Sequence, residues 1–303
     1  MAMTSLVHHV RSKMFILAHR RARGMLDGEY GSVFKGRSLD FDDLRAYVPG
    51  DEVRDIDWKA SARHGSPLIR RYIAVRQHHV LLVADTGRNM AAESLSGELK
   101  KDIAVMALGV IGSLALGHGD PVGLVHGHAG GTAALPAASG DAALERLLRT
   151  VDAVGAGSAA SAPEEQLEYV ARTYRRRMLL FVVADESVPT ERTERLLRRL
   201  RAQHEILWLT ILDADLTELV QRGRRRPDIQ PRPLRDIERH TAVIGPVAAS
   251  ARVLAAYELA RTERDAARSA MLRRAGITEG RVGSADGVVS AIFALLERHR
   301  RGG

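Results

Sequence analysis

The sequence predicts an α/β protein built on a doubly wound, mostly parallel sheet, and three observations carry that expectation. Two unbroken apolar runs, Val80 to Ala84 and Leu179 to Ala184, each close on an aspartate, Asp85 and Asp185. Runs of that kind suit strands buried on both faces, as in a parallel sheet. Helix-length stretches alternate with them: Glu98 to Leu116, Ala142 to Val154, Glu164 to Arg176 and Glu191 to Ala202. The third observation is the run Ile103 to Leu116, fourteen residues with two glycines and a serine. A spanning helix needs about 20 apolar residues, so this one reads as a buried helix. Its small residues Ala104, Ala107, Gly109 and Gly112 are expected to let it approach the sheet closely.

In chain order, residues 1–35 are expected to form an N-terminal helical segment, 36–76 a charged segment and 77–247 the α/β core. Residues 248–303 are expected to form a C-terminal helical region. Within the charged segment, Leu68 to Val75 alternates in a way that suits an extra strand with a basic rim. Val122 to Val125, Ile206 to Leu212 and Ala242 to Ile244 are further strand candidates in the core. The Ala/Gly/Ser stretch Gly155 to Ala162 reads as a loop. Ala248 to Arg273 reads as a long helix, and Ser284-Ala285-Asp286 precedes a last helix running from Gly287 towards His299.

With 303 residues the chain has ample length for one sizeable core with appendages. It contains no cysteine, which excludes disulfides, thiolate catalysis and cysteine metal sites. The stretch Ser5 to Arg23 carries Arg11, Lys13, Arg20, Arg21 and Arg23 and lacks the clean apolar centre of a signal peptide. The expectation is a cytoplasmic protein. The formal net charge of +8 favours acidic partners, membranes or nucleic acid.

The stretch Gly36 to Gly65 packs acids, bases and two rigid aromatics around one turn. Pro49-Gly50 suits that turn, the proline presetting φ and the glycine able to take a positive one. Asp51 stands where a helix N-cap belongs, and Val53, Ile56 and Ala60 then form one apolar stripe on a short helix ending near His64-Gly65. Arg54, Asp55, Asp57, Lys59 and Arg63 fill the other faces, while Tyr47 and Trp58 add large surface with one polar atom each. Two readings remain open: an ion-paired cover at the sheet edge, or a docking surface. Surface ion pairs contribute only about 0–1 kcal/mol each, so stability alone is a weak reason for such charge density. Arg45, Tyr47, Gly50, Asp51, Arg54, Asp57, Trp58 and Arg63 are the candidate interaction residues.

Arg45-Ala46-Tyr47, Pro49-Gly50-Asp51, Arg54, Ile56-Asp57-Trp58 and Ala62-Arg63 together resemble the signature of the bacterial "domain of unknown function fifty-eight" proteins. The resemblance is specific over Gly36 to Met90, looser as far as Arg300, and absent from the segment before it. It implies a von Willebrand factor A-like domain after the signature, and association with MoxR-type AAA+ ATPases. It also implies that Asp85-Thr86-Gly87-Arg88-Asn89 corresponds to an Asp-x-Ser-x-Ser loop. In von Willebrand A domains that loop binds magnesium together with a distant threonine and an aspartate. Asp85, Asn89 and Asp185 are then the candidate ligands of a degenerate site. Gly87 has no side-chain oxygen, Arg88 adds a positive charge, and only Ser139 and Asp141 lie near the place expected for the threonine. Magnesium demands near-octahedral oxygen geometry, so a lost hydroxyl matters. The competing reading is that Asp85 caps its loop through backbone N–H groups.

No Gly-x-Ser-x-Gly elbow, Gly-x-x-x-x-Gly-Lys phosphate loop or His-Glu-x-x-His zinc helix occurs, and no residue is assigned a catalytic role or a cofactor. Gly127 to Gly131 lacks the lysine a nucleotide loop needs, and His126 with His128 lacks a third ligand. Arginines cluster at Arg172 with 175–177, at Arg198-Arg199 with Arg201, and at Arg222 with 224–226. Aromatics are only 4% of the chain, and Glu191, Glu194 and Asp228 intersperse the arginines, which suits solvated basic faces better than a nucleic-acid groove. The leading expectation is a non-catalytic interaction protein acting with a MoxR-type AAA+ ATPase. Direct binding of nucleic acid or an anionic membrane is the alternative, and a metal-dependent enzyme built on Asp85 and Asp185 a weaker third.

Overall fold

The computed structural model describes residues 5–17, 26, 28–31, 44–48, 56–70, 78–186, 190–218, 235–237, 241–242 and 250–302. Two short strands, Leu44–Ala46 (β1) and Leu68–Arg70 (β2), pair antiparallel as a separate two-stranded sheet. The central sheet comprises Val80–Asp85 (β3), Val122–His128 (β4), Gly131–Ala138 (β5), Leu179–Ala184 (β6), Glu205–Ile211 (β7) and one late strand. Between β7 and that last strand, Arg235–Asp236 (β8) and Thr241–Ala242 (β9) form their own ribbon, and Thr278–Val282 (β10) completes the sheet.

The strand order is β10-β7-β6-β3-β4-β5, and every neighbouring pair is parallel except the β4–β5 hairpin. The chain enters at the centre, winds outward through β4 and β5, then returns to β6 and winds the other way. This is a doubly wound, mostly parallel α/β sheet, with its reversal between β3 and β6. Ligands bind such sheets outside the carboxyl ends of the strands at that reversal.

Alternation along each strand divides the core into two layers. Val80, Leu82, Leu179, Phe181, Leu207 and Leu209 pack with the helices Lys100–Gly117, Asp141–Asp152 and Val288–Gly302. Leu81, Val83, Leu180, Val182, Ile206 and Trp208 pack with Pro163–Thr173, Glu191–Arg201 and the end of Ala251–Arg274. The helix Leu6–Leu17 joins the first layer through Val7, Val10 and Met14. Glu145 accepts hydrogen bonds from the Leu6 and Val7 amides at 3.0 and 2.9 Å, which satisfies two orphan donors of that helix's first turn. Arg11 binds Asp141 bidentately at 2.6 and 2.7 Å.

Gly109 and Gly112 face helices and not the sheet. A Cβ at Gly109 would stand 2.7 Å from Val10 Cγ2, and one at Gly112 would stand 2.5 Å from Leu144 Cδ1. Their smallness admits the neighbouring helices to the buried Lys100–Gly117 helix. Of the strand expected at Ala242 to Ile244, residues 243 and 244 lie outside the described residues, and Ala242 belongs to Thr241–Ala242, which pairs with Arg235–Asp236 in a ribbon of its own. The sheet's sixth strand is β10, whose half-polar sequence gives little apolar signal. The hairpin strand β5 is equally quiet, an exposed edge rich in alanine. Its Pro136 is tolerated because an edge strand leaves one row of backbone groups unpaired. Among the described residues no helix is long and apolar enough to cross a membrane.

Candidate functional site

Three adjacent strands end at or just before an acid: β3 at Asp85, β6 before Asp185 and β7 before Asp213. Parallel pairing brings these ends to one edge of the sheet. Lys100, the first residue of its helix and only 2% exposed, reaches across them. Its ammonium lies 2.5 Å from Asp213 Oδ1 and 3.6 Å from Asp185 Oδ2. Burial works to lower the lysine pKa, but Asp213, Asp185 and Glu186 outweigh it and hold the group charged.

Asp85 is buried in the same place, and its pKa is pushed up to about 7, first by burial and then by the charge of Asp185. The Ser161 hydroxyl, the Gly87 amide and Lys100 pull the other way. Asp85 Oδ1 accepts from the Gly87 amide at 2.9 Å, so the aspartate caps its own loop. Asp85 Oδ2 is buried without a donor in regular hydrogen-bond geometry, although Ser161 is near enough to act on the pKa. Asn89 lies half-buried in the 3-10 turn Arg88–Ala91 that follows.

The loop 155–162 closes on this edge. Arg88 donates its amide to Ala159 O at 2.9 Å, and Ala129 donates to Ala160 O at 2.8 Å. A Cβ at Gly87 would stand 2.4 Å from both Cα and Oγ of Ser161. The hydroxyl brought to the strand ends is therefore that of Ser161. The stretch Ala137 to Asp141 does not supply it, and Asp141 is held instead by Arg11. The residues present do not fit the magnesium that the resemblance implies. Gly87 has no room for a donor side chain, and an ammonium already stands among the carboxylates. Among the described residues no group of three or more His, Asp or Glu is arranged to hold a metal.

From Asp213 the polar contacts continue outward. Its amide donates to Glu186 Oε2 at 3.1 Å, Arg281 joins Glu186 to Asp265, and Arg268 joins Asp265 to Glu279.

The charged segment forms its own small unit. Tyr47 donates its amide to Pro67 O at 2.9 Å, extending the β1–β2 pairing in which Arg45 stands opposite Ile69. Ile56 bridges Ile69 antiparallel and is extended, not part of a helical stripe. The helix runs Trp58–His64, and its N-cap is Asp57, whose carboxylate accepts from the Lys59 and Ala60 amides at 3.0 Å each. Gly65 ends it at φ 79°, the left-handed conformation glycine adopts at little cost. Ser61 Oγ donates to Asp57 O and accepts from the Leu68 amide, tying helix to strand. Trp58 is 65% exposed, and Arg63 on the same helix is exposed as well. Gly50, Asp51 and Arg54 lie outside the described residues, so Asp57 is the cap of the helix that is seen.

The arginine clusters are largely engaged. Arg172 pairs with Glu168, Arg177 and Arg201 with Glu205, and Arg198 with Glu194, while Arg222 and 224–226 lie outside the described residues. His126 and His128 both lie in β4, and His128 Nδ1 accepts from the Gly130 amide at 3.0 Å.

Sequence reasoning missed Lys100, Asp213 and Ser161. Asp213 had a signal, since it closes Ile206 to Leu212 as Asp85 and Asp185 close their runs. Lys100 had a weaker one, a cation at the head of an apolar helix, where the macrodipole disfavours it. Nothing local marks Ser161.

Among solved structures, the conserved hypothetical protein BatB from Bacteroides thetaiotaomicron matches at 12% identity and a TM-score of 0.45, over 74% of this chain and 99% of its own. An aerotolerance-related membrane protein from Bacteroides fragilis matches at the same identity and score, over 73% of this chain and 99% of its own. The uncharacterized proteins Rv1480 of Mycobacterium tuberculosis and Mb1516 of Mycobacterium bovis are each 29% identical over 217 residues, 71% of this chain. The chain spans 66% of the length of these relatives. The family model described as "Protein of unknown function DUF58" matches residues 43–244, the stretch that holds the charged unit and the sheet through β7, and the chain belongs to that family.

Proposed function

We propose that this chain is a non-catalytic interaction protein whose β1–β2 unit docks a MoxR-type AAA+ ATPase, the partner that the family resemblance implies. The observation that carries the reading is Trp58, 65% exposed on a helix whose cap and strand ties are all internal. Tryptophan and arginine are the residues that most often anchor interfaces, and here Trp58 and Arg63 stand outward on a backbone already fixed. Val48, 55% exposed just beyond β1, adds apolar surface to the unit. The core is read as von Willebrand A-like with a degenerate metal loop, supported by the strand order and by the place of Asp85 and Asp185 at the winding reversal. The partner supplies nucleotide hydrolysis, which places the complex in the cytoplasm where ATP is. This chain recognises a client or transmits the movement.

The test is binding between the purified chain and the MoxR-type ATPase of the same organism, measured by calorimetry. Trp58→Ala and Arg63→Glu should each weaken binding by roughly tenfold or more, as interface anchors do. Wild-type affinity in both variants would remove the docking surface from this unit. Direct binding to polyanions draws little support, because Arg172, Arg177, Arg198 and Arg201 of the described clusters are paired with glutamates. Binding to DNA or anionic vesicles that falls steeply with salt would revive it.

A further inference from the structure

The lysine at the strand ends is costly in two ways. As the first residue of Lys100–Gly117 it opposes the positive end of the helix macrodipole, and at 2% exposure it has given up its water. Its compensation is Asp213 at 2.5 Å and Asp185 at 3.6 Å, with the charge of Glu186 behind them, and it acts in turn on Asp85. Asp85 Oδ2 is buried beside them without a donor in regular geometry.

We propose that the Lys100 ammonium is the fixed counter-ion of this carboxylate cluster, standing where a divalent cation would otherwise be drawn. The chain thereby holds its strand ends together without metal, and removal of the lysine charge leaves the carboxylates uncompensated. The chemistry of the donor set decides the choice. A magnesium ion on Asp185 would stand within a few ångströms of the ammonium in a buried place, where like charges repel strongly. It would also need near-octahedral oxygen ligands, yet Ser161 fills the space in which residue 87 could offer one. Without the ammonium, Asp185 and Asp213 are left facing each other with no counter-charge, beside the buried Asp85, and the strand ends repel. This inference does not depend on docking of any partner.

The experiment is a titration with Mn2+ on the whole chain, followed by electron paramagnetic resonance and by thermal melting with Mn2+ or EDTA. Wild type should bind no Mn2+ up to about 1 mM, the weak end of the range for divalent-cation sites, and should melt alike in both conditions. Lys100→Met, which keeps length and loses charge, should melt lower in both conditions by about 5–10 °C, and adding Asp185→Asn with Asp213→Asn should recover part of that loss by removing the uncompensated charges. Mn2+ binding by wild type, or a Lys100→Met that melts as wild type does, overturns the proposal. If Lys100→Met does not fold in either condition, wild type decides through the nitrogen-15 spectrum of its lysine side chains. A water-protected ammonium signal assigned to Lys100 and unbroadened by Mn2+ upholds the proposal. Absence of that signal, or its broadening by Mn2+, overturns it.

Discussion

Gly87 and Ser161 fill one space between them: an ideal Cβ on Gly87 would stand 2.4 Å from Ser161 Cα and 2.6 Å from its backbone nitrogen. The glycine is there for room and not for backbone freedom, since its φ of −73° suits any residue. Gly87→Ala should therefore destabilise the protein by about 1–3 kcal/mol, the usual cost of overpacking, in urea melts. The obstruction is backbone, so adding Ser161→Gly should restore little. Unchanged stability of Gly87→Ala would show that the loop 155–162 does not close as described.

Asp85 makes the strand-end cluster sensitive to pH. Its folded pKa of about 7 lies above the ordinary 3.8, through burial first and Asp185 second, against the pull of Ser161, Gly87 and Lys100. A raised carboxyl contributes stability that is full below its unfolded pKa and is lost as pH rises through the folded value. Asp85→Asn keeps an acceptor for the Gly87 amide and removes the charge. Its stability relative to wild type should rise between about pH 4 and pH 8 by up to a few kcal/mol, at about 1.4 kcal/mol per pKa unit. Denaturant melts across that range measure it, and a difference flat with pH would refute the assignment.

Glu205, the first residue of β7, titrates in the opposite sense. Its pKa is pulled down to about 2, first by the hydrogen bond with His299 and further by Arg177 and Arg201, against its burial. Arg177 approaches at 2.5 Å, Arg201 at 3.2 Å and His299 Nε2 at 3.5 Å. A depressed carboxylate contributes stability that is present above its unfolded pKa of 4.5 and lost as pH falls to about 2. Glu205→Gln should cost about 1–3 kcal/mol at neutral pH. That cost should shrink steadily in acid, which guanidinium melts at neutral and acid pH would reveal.

Asp57 serves as a helix cap, and this role can be separated from partner binding. Asp57→Ala removes the acceptor for the Lys59 and Ala60 amides and should cost about 1 kcal/mol, whereas Asp57→Asn should cost much less. Amide exchange over residues 59–65 measures the local loss. If the partner reads Trp58 and not the aspartate, Asp57→Asn keeps partner affinity where Trp58→Ala loses it.

The strands at Val80 and Leu179 were legible because a strand buried on both faces must be apolar throughout, and each run met its aspartate at the carboxyl end. The buried helix around Ile103 was legible for the same reason. The strands β5 and β10 were not, since both lie at the edges of the sheet and carry too few apolar residues to show a period. The cap was misplaced from Asp57 to Asp51 because both aspartates precede a stretch of suitable spacing. Pairing of Ile56 with Ile69 makes the chain extended at residue 56, directly before the Asp57 cap.

The sequence by itself determined the α/β class, the central parallel strands and the family signature, all of which rest on short-range patterns of apolar and turn residues. Only the tertiary structure decided that Lys100 serves Asp213, a residue 113 positions away, together with Asp185, and that Ser161 stands where a side chain on residue 87 would be. Those meetings follow from the strand order β7-β6-β3, which long crossovers impose and no local period records. A buried charge is stable only where its partners converge, so the place of that convergence is a property of the assembled sheet.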